Sequence, residues 1–591
     1  MRVSARPVYF SRPGHDGSPL FALYNAPVGV PTGLGVVICP PIGSELMRSY
    51  RALRELAAVL AGRGIAVLHL DYHGTGNSAG RDEDPDRIAA WTQSIDAAVD
   101  ELRRLGGVAR VGLFGVRLGA ALAALAASAR DDIDRLVLWG ACRSGKALAR
   151  ELRMLRMTEE GRTSDAPADE GDQEAGGFIF TRATMEALAK VDLTKLPRPP
   201  ARRVLVVHRD DMPADQQLVK ALVAGGADVT VEQWAGYAAM NQHPHESVAP
   251  MELFAHVAAW LAPERAGAGD AATNAASVDV AEAASDVPAA ATAVRETAFR
   301  FGGDVGLFAV LSQPTNGVAR RRTAVLFTST GANYHVGPNR LYTKLARDWA
   351  ADGFDVMRMD LSGIGQSELR PGGTPNQPYP DARIEDLRLG LDELRRRTGA
   401  QRTVVIGLCS GSHIAFHASL AGVRFDGQIL INPALYYVPG DPLDEGLGQR
   451  FDEMQRYKGS ALQLDKWKKL LTGKVAYRAL AGIAARRAWD VVGPRLKHAG
   501  RNLGVYRPKK DVGRDLLQVV DGGADTHFVF ADGDAGLDYL RREVRLDLER
   551  VLKMKNVKLS IIPGANHTFS DCTSQKKLGE LLTTHLMRTY R

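Results

Sequence analysis

The chain contains an internal repeat, and this repeat limits the folds that it can adopt. The matching segments are 21–27 with 308–314, 56–78 with 345–367, and 110–125 with 403–418. Each half is predicted to run strand, helix, strand, helix and then a sharp turn into a further helix. Because strands alternate with helices in this pattern, we expect an α/β fold, present twice, each copy a mostly parallel sheet flanked by helices.

The boundary between the two copies is marked by a change of composition. Residues 264–293 are dominated by alanine and lack apolar periodicity, which is typical of a linker that is flexible or partly helical. We therefore expect one domain at 1–263 and a second at 294–591. The total of 591 residues, 45% hydrophobic and 24% charged, is too long for one core and agrees with two globular domains.

The second half contains a possible nucleophile elbow. The apolar run at 404–406 leads into Gly-Leu-Cys-Ser-Gly at 407–411, followed by a helical pattern of small residues. An elbow needs small residues two before and two after the nucleophile, because backbone packs against backbone there. Both positions are glycine, so Cys409 is predicted at the apex. In a frame shifted to Ser410, Leu408 would take a small position and is too large.

An acid and a histidine follow in the order that such a fold requires. Asp534 falls at the acidic end of a short buried strand predicted within 526–540, and His567 lies in the Gly-Ala-Asn-His loop that ends the strand segment 557–569. Nucleophile, acid and base would then each follow a strand, as in a hydrolytic triad. Asp532 and Asp538 are alternatives to Asp534. His413, on the next turn of the elbow helix, is predicted to pack or to face solvent.

With these residues in order, the second half resembles an α/β-hydrolase with cysteine in place of serine. Dienelactone hydrolases and polyhydroxyalkanoate synthases are similar in using Cys, Asp and His on this fold. At the level of the scaffold it also resembles serine aminopeptidase-type hydrolases. The resemblance implies acyl chemistry at Cys409, with one oxyanion donor at the backbone N–H of Ser410 and the other from the loop at Thr330 and Gly331. No cofactor and no metal are expected.

The first half departs from this pattern at two of the three triad positions. Its elbow, Gly-Val-Arg-Leu-Gly at 115–119, has Arg117 at the apex, and a guanidinium cannot attack a carbonyl. Asp211 occupies the acid position, but the loop beginning at Gly236 has no histidine in register, while His243 and His245 lie further on. This half resembles the second type of hydrolase-like protein associated with exosortase A systems. We expect it to be catalytically silent.

Arg117 at a buried elbow needs an anionic partner. Asp211 is the expected one, in a salt bridge that holds an inactive site together. The alternative is a pocket that binds a carboxylate or phosphate effector.

A strongly basic stretch lies where a lid is usually inserted in this fold, at about 437–526. Between Arg450 and Lys510 there are sixteen Lys and Arg against four acidic residues, a balance of +12 compared with +7 for the whole chain. Such a charge attracts anionic partners: an acyl-carrier protein, a coenzyme A thioester or an anionic membrane surface. Nucleic acid fits poorly beside a complete triad, and a solvated helical face is the plain alternative.

The sequence therefore predicts a Cys-His-Asp acyl hydrolase or acyltransferase that acts on a thioester or ester. The alternatives are a carboxylesterase or aminopeptidase-like hydrolase, and a non-catalytic scaffold with a basic docking surface. We expect a cytoplasmic protein, because there is no signal peptide and no apolar run approaches the roughly 18 residues of a membrane span. The four cysteines are widely spaced, which favours reduced thiols over disulfides or a metal site.

Overall fold

The computed structural model describes residues 5–12, 14–158, 172–262, 282–289, 292–315, 317–379, 382–433, 492, 496, 512–543 and 545–590. The chain divides into two compact units. The first comprises Met1–Thr403 together with Thr568–Arg591, and the second comprises Val404–His567.

The first half of the repeat forms an eight-stranded sheet in the order β1-β2-β4-β3-β5-β6-β9-β10. These strands are β1 Arg6–Arg12, β2 His15–Asn25, β3 Leu34–Cys39, β4 Ala66–Asp71, β5 Arg110–Val116, β6 Ile133–Trp139, β9 Arg203–Arg209 and β10 Asp228–Trp234, while β7 Gln173–Ala175 and β8 Phe178–Phe180 form a separate hairpin. The helices are α1 Ser44–Gly62, α2 Arg87–Gly106, α3 Leu118–Ala129, α4 Gly145–Thr158, α5 Arg182–Ala189, α6 Gln216–Ala224, α7 Tyr237–Met240 and α8 Met251–Leu261. Along the part of the sheet ordered β4-β3-β5-β6-β9-β10, each strand is parallel to its neighbour. Buried apolar residues of these strands pack against helices on both faces of the sheet.

The same unit contains a second set of strands from the other half of the repeat. They are β11 Glu282–Ala289, β12 Thr292–Phe301, β13 Leu307–Pro314, β14 Thr323–Phe327 and β15 Asp355–Asp360, in the order β11-β12-β13-β15-β14. The helices of this part are α9 Leu341–Ala351, α10 Arg383–Thr398 and, near the end of the chain, α15 Cys572–Thr589.

The second unit is built on four parallel strands. The first of them begins at Arg402, two residues before the unit itself. The strands are β16 Arg402–Leu408, β17 Gly427–Ile431, β18 Asp525–Ala531 and β19 Val557–Ile562, paired in that order. The helices are α11 Ser410–Leu420, α12 Val512–Asp521, α13 Ala535–Glu543 and α14 Arg545–Val551. The prediction of mostly parallel sheets flanked by helices is confirmed.

The repeat is visible in matched hydrogen bonds. At the end of β4 the Asp71 carboxylate accepts from the backbone N–H of Asn77 at 2.8 Å. At the end of β15 the Asp360 carboxylate accepts from the backbone N–H of Gln366, also at 2.8 Å. Each buried acid thus closes the tight turn that follows its strand, which is why both copies keep an aspartate there.

The Ala-rich segment differs in part from the expected linker. Residues 282–289 are strand β11, antiparallel to β12, with side chains that alternate between more and less exposed. Alanine is small enough for the inward positions, and Val287 is fully buried. Pro288 is tolerated because its missing N–H falls on an edge strand. The sequence predicted a linker because the segment has too few large apolar residues to show the alternating pattern of a strand.

Most of the predicted lid, including the basic stretch 450–510 apart from isolated residues, lies outside the described residues. Its predicted last part, 512–526, is helix α12 followed by the start of β18. The buried apolar face of α12 packs against α11 and α14, so this part belongs to the core layer of the second unit.

Arg340 links the two halves of the repeat inside the first unit. Its side chain is 3% exposed, and the guanidinium donates to four backbone carbonyls in the turn that follows β4. The acceptors, at 2.6 to 3.0 Å, are the carbonyl oxygens of Gly74, Gly76, Ser78 and Gly80. Because these bonds are buried and involve a charged donor, they are among the stronger polar contacts of the unit.

Replacing Arg340 should therefore destabilise the chain. We expect Arg340→Met to lower the free energy of unfolding by about 3 kcal/mol, because four buried carbonyls lose a donor. Denaturant unfolding of the full chain measures this. Arg388→Met is the control, since Arg388 is exposed and pairs with the exposed acids Glu385 and Asp392. An equal loss in both variants would contradict the prediction.

Candidate functional site

Cys409 sits on a strained turn between β16 and α11. Its backbone angles are φ 54° and ψ −113°, which a non-glycine residue rarely adopts. A Cβ atom at Gly407 would lie 2.2 Å from the backbone carbon of Gly411, so the position two before the apex must be glycine. The turn therefore has the strand, sharp bend and helix of a nucleophile elbow.

His567 lies between an acid and the thiol. Its Nδ1 and the Asp534 Oδ2 are 2.6 Å apart, and the side chain of Asp534 is only 2% exposed. The imidazole also interacts electrostatically with the Cys409 side chain. Because Nδ1 faces the carboxylate, Nε2 is the nitrogen that is left for the thiol. The structure brings the three predicted residues together within the second unit.

The surroundings of His567 favour its charged form. Burial acts to lower its pKa, but the electrostatic interaction with Cys409 and the hydrogen bond and charge of Asp534 act against burial and prevail. The pKa of His567 is therefore raised well above its ordinary value. An imidazole of this kind is suited to hold a proton taken from a neighbouring thiol.

The alternatives to these residues lie elsewhere. Asp532 is exposed, and Asp538 lies on the first turn of α13, so the geometry favours Asp534 as the partner of the imidazole. Ser410 is 1% exposed at the first position of α11. His413 is 2% exposed and its ring packs on His417 at 4.2 Å between centroids, which agrees with a packing role.

Asn432 is a residue near the triad that the sequence analysis did not single out. It directly follows β17, is fully buried, and donates from Nδ2 to the backbone carbonyl of His567 at 2.7 Å. Its only signal in the sequence is an Asn-Pro pair after a buried strand, which usually indicates a turn. Its contact with His567 follows only from the folded chain.

Thr330 and Gly331 lie in the first unit, after β14. The Thr330 hydroxyl is 2.5 Å from the Tyr342 hydroxyl, and the Thr330 carbonyl accepts from the backbone N–H of Asn333. Gly331 has φ 55°, as a turn glycine does. The predicted contribution of this loop and of Ser410 to an oxyanion hole stays a prediction.

The elbow of the first half has nearly the same backbone geometry as the elbow at Cys409, but its apex residue is an arginine. Arg117 has φ 55° and ψ −119°, close to the values at Cys409. Its Nε donates to Glu45 at 3.0 Å, and its Nη2 donates to Glu151. The expected Asp211 partner was wrong, because Asp211 forms a two-bond pair with Arg209 two residues before it.

The loop that would carry a histidine in the first half carries a tyrosine. Tyr237 is 2% exposed and its hydroxyl donates to Glu45 at 2.7 Å, while Arg209 lies over its ring. His243 and His245 are exposed further along the chain, with their rings stacked on each other. The Arg117 charge is thus balanced by two glutamates, which disfavours the alternative of an anion pocket centred on it.

Comparison with known proteins agrees with this architecture. The model of the family described as serine aminopeptidase, S33, matches residues 44–163 and 320–461, one segment in each half of the repeat. The chain has an α/β-hydrolase fold. It is an enzyme of the hydrolase class. The two segments that match the family model together amount to less than half of the chain. A comparison with curated proteins finds no match.

Several solved structures of hydrolases are similar at low identity. Est1E from Butyrivibrio proteoclasticus, with ferulic acid bound, is 19% identical over 42% of this chain and 96% of its own, with a TM-score of 0.33. Proline iminopeptidase from Mycobacterium smegmatis is 17% identical over 44% and 97%, with a TM-score of 0.31. An esterase domain from Rhodothermus marinus is 20% identical over 44% and 97%, with a TM-score of 0.30. These likenesses are too low to indicate a substrate.

Two further features bear on partners. Among the helices that the structure describes, none is both long enough and apolar enough to cross a membrane. Within the same described part of the chain, no group of three or more His, Cys, Asp or Glu side chains could hold a metal ion.

The geometry predicts that Cys409 is the most reactive of the four thiols. Burial raises the pKa of Cys142 to about 12 and raises the pKa values of Cys39 and Cys572 further, whereas Cys409, half-buried like Cys572, lies beside an imidazole. We expect iodoacetamide to modify Cys409 first at pH 7, and His567→Ala to slow this reaction by about tenfold or more. Peptide mass mapping over time gives the four rates. Faster labelling of any other cysteine, or no effect of His567→Ala, would contradict the prediction.

Proposed function

We propose that this α/β-hydrolase uses Cys409, His567 and Asp534 for acyl transfer through a covalent acyl-cysteine intermediate. The observation that supports it is the hydrogen bond from the buried Asp534 to His567, whose imidazole interacts with a thiol on a strained elbow. The proposed substrate is a thioester or an ester, which needs no cofactor. The proposed catalytic domain is 294–591.

The proposed reaction begins when His567 takes the thiol proton. The Cys409 sulfur attacks the acyl carbon, and the oxyanion that forms is stabilised by the backbone N–H of Ser410 at the start of α11. The bond to the leaving group then breaks, and the imidazolium gives its proton to the departing thiol or alcohol. Asp534 keeps the imidazole in the tautomer that this step requires.

The acceptor decides the name of the reaction. Water would give a thioesterase or esterase, whereas an alcohol, amine or thiol would give an acyltransferase. In either case the acceptor loses its proton to His567 and attacks the acyl carbon, and the thiol is released. An acyl-cysteine is a thioester and keeps its transfer potential, so transfer is chemically accessible from it. The basic stretch 450–510 suits an anionic donor, such as a coenzyme A or acyl-carrier thioester.

A carboxylesterase or aminopeptidase-like function is a second candidate, favoured by the match to the serine aminopeptidase family model. Cysteine at the apex and the buried position of Ser410 favour the acyl-cysteine proposal over a serine mechanism. A non-catalytic scaffold is the third candidate, and such a scaffold would not need the hydrogen bond between His567 and Asp534.

Intact-mass spectrometry with N-acetylcysteamine thioesters of increasing acyl length tests the proposal. We expect the native chain to gain one acyl group and Cys409→Ala to gain none. Asp534→Asn should lower the rate of acylation by about 10³-fold or more, because the imidazole loses its orienting carboxylate.

The outcomes separate the three candidates. An adduct that survives Cys409→Ala would contradict the cysteine mechanism, and hydrolysis of nitrophenyl esters by that variant would favour a serine enzyme. The absence of any adduct and of any ester hydrolysis in the native chain would favour the scaffold.

We also propose that the first half, 1–263, is catalytically silent and has a structural role. The support is that Arg117 replaces a nucleophile and is held by Glu45 and Glu151. The pair with Glu45 is mostly buried, whereas Glu151 is 41% exposed, so the contribution of Glu151 is partly screened.

Arg117→Met should lower stability and leave the chemistry unchanged. We expect a loss of about 2 kcal/mol in the free energy of unfolding, because two carboxylates lose their partner in a partly buried site. Acylation of Cys409 should stay within twofold of the native rate. Adding Glu45→Gln should restore part of the stability by removing the stranded charge. A specific loss of acylation without loss of stability would overturn the silent role.

A further inference from the structure

We infer that Asn432 is a positioning residue that holds the His567 loop in register with the strand ends that carry Cys409 and Asp534. This inference rests on the proposed function, because it assigns a role in the same site. Asn432 does not touch a reacting atom and acts only through the backbone of its neighbours.

Asn432 directly follows an inner strand of the four parallel strands of the second unit. It follows β17, which lies between β16 and β18. Its side chain is fully buried, and its backbone N–H donates to the Val529 carbonyl of β18 at 2.8 Å. Its φ of 45° places it in the left-handed region, which asparagine tolerates better than most residues.

Both ends of the Asn432 amide are used. Nδ2 donates to the carbonyl of His567 at 2.7 Å, and Oδ1 accepts from the backbone N–H of Ala531 at 2.7 Å. Ala531 is the last residue of β18 and lies three residues before Asp534. One side chain therefore joins the segment that carries the acid to the residue that carries the base.

The residue before Asn432 contacts the elbow. The carbonyl of Ile431 accepts from the backbone N–H of Cys409 at 2.9 Å and from the Ser412 hydroxyl at 2.9 Å. Two consecutive residues at the end of β17 thus bond to the nucleophile on one side and to the acid and base segments on the other. The end of β17 is therefore hydrogen-bonded to the segments that carry all three residues of the proposed triad.

The chemistry of the position favours asparagine. It needs one donor and one acceptor on a short, rigid stem, together with a left-handed backbone. Aspartate keeps the shape and the acceptor but loses the donor, and its charge would face the His567 carbonyl. Glycine keeps the backbone but loses both bonds. A shift of about 1 Å in a reacting group can cost about a hundredfold in rate, so loss of the His567 bond should show in the chemistry.

The experiment compares Asn432→Asp and Asn432→Gly with Asn556→Asp in the full chain. Asn556 is a matched control in the same unit, since its amide donates to the carbonyls of Val520 and Ala524, away from the triad. Three quantities are measured for each variant: the iodoacetamide rate at Cys409 between pH 5 and 10, the acylation rate with a thioester over a range of concentrations, and the melting temperature.

We expect Asn432→Asp and Asn432→Gly to slow acylation at saturating thioester by about tenfold to a hundredfold with little change in KM. Their alkylation profiles against pH should move toward that of His567→Ala. Asn556→Asp should keep the native profile and a rate within twofold, even where its melting temperature falls as much.

A native pH profile and native acylation rate in both Asn432 variants would overturn the inference. So would losses that Asn556→Asp reproduces at an equal loss of melting temperature, because the role would then be structural only. If the native chain forms no acyl adduct, the proposed function fails, but the alkylation profile needs no acyl substrate and still decides whether Asn432 controls the contact between His567 and the thiol.

Discussion

The close approach of backbone to backbone at the elbow is the constraint on which the site depends. A side chain at Gly407 would collide with Gly411, and one at Gly115 would lie 2.4 Å from the Cα of Ala120. Strand and helix can meet this tightly only when the apex residue takes a positive φ. That conformation puts the apex side chain at the carboxyl end of the parallel strands and at a helix N-terminus, whichever residue it is.

The two halves show that this geometry does not decide the chemistry. Cys409 and Arg117 have nearly the same backbone angles. Beside Cys409 the buried carboxylate of Asp534 bonds to the imidazole of His567. Beside Arg117 the carboxylates neutralise a fixed charge. The same elbow geometry thus carries a thiol beside a carboxylate–imidazole pair in one half and an arginine paired with glutamates in the other.

Much of the site could be predicted because its chemistry follows strand ends in a fixed order. Asp534 was predicted as the acid, but the sequence left Asp532 and Asp538 open as alternatives, since residues a few positions apart differ only in which way their side chains face. The partners of Arg117 were predicted wrongly for a related reason. Glu45 and Glu151 lie on helices far from it in sequence, and only packing brings them to the elbow.

The amino-acid sequence by itself determined the two-fold repeat, the mostly parallel sheets and the glycine-flanked apices, because these depend on local spacing and on residue size. Tertiary structure alone decided that Ala-rich residues 282–289 pair as a strand, that Arg340 binds four carbonyls of the other half, and that Asn432 joins Ala531 to His567. Each of these contacts needs donors and acceptors from distant segments at hydrogen-bond distance. No local pattern encodes such a distance, so it is settled only when the whole chain packs.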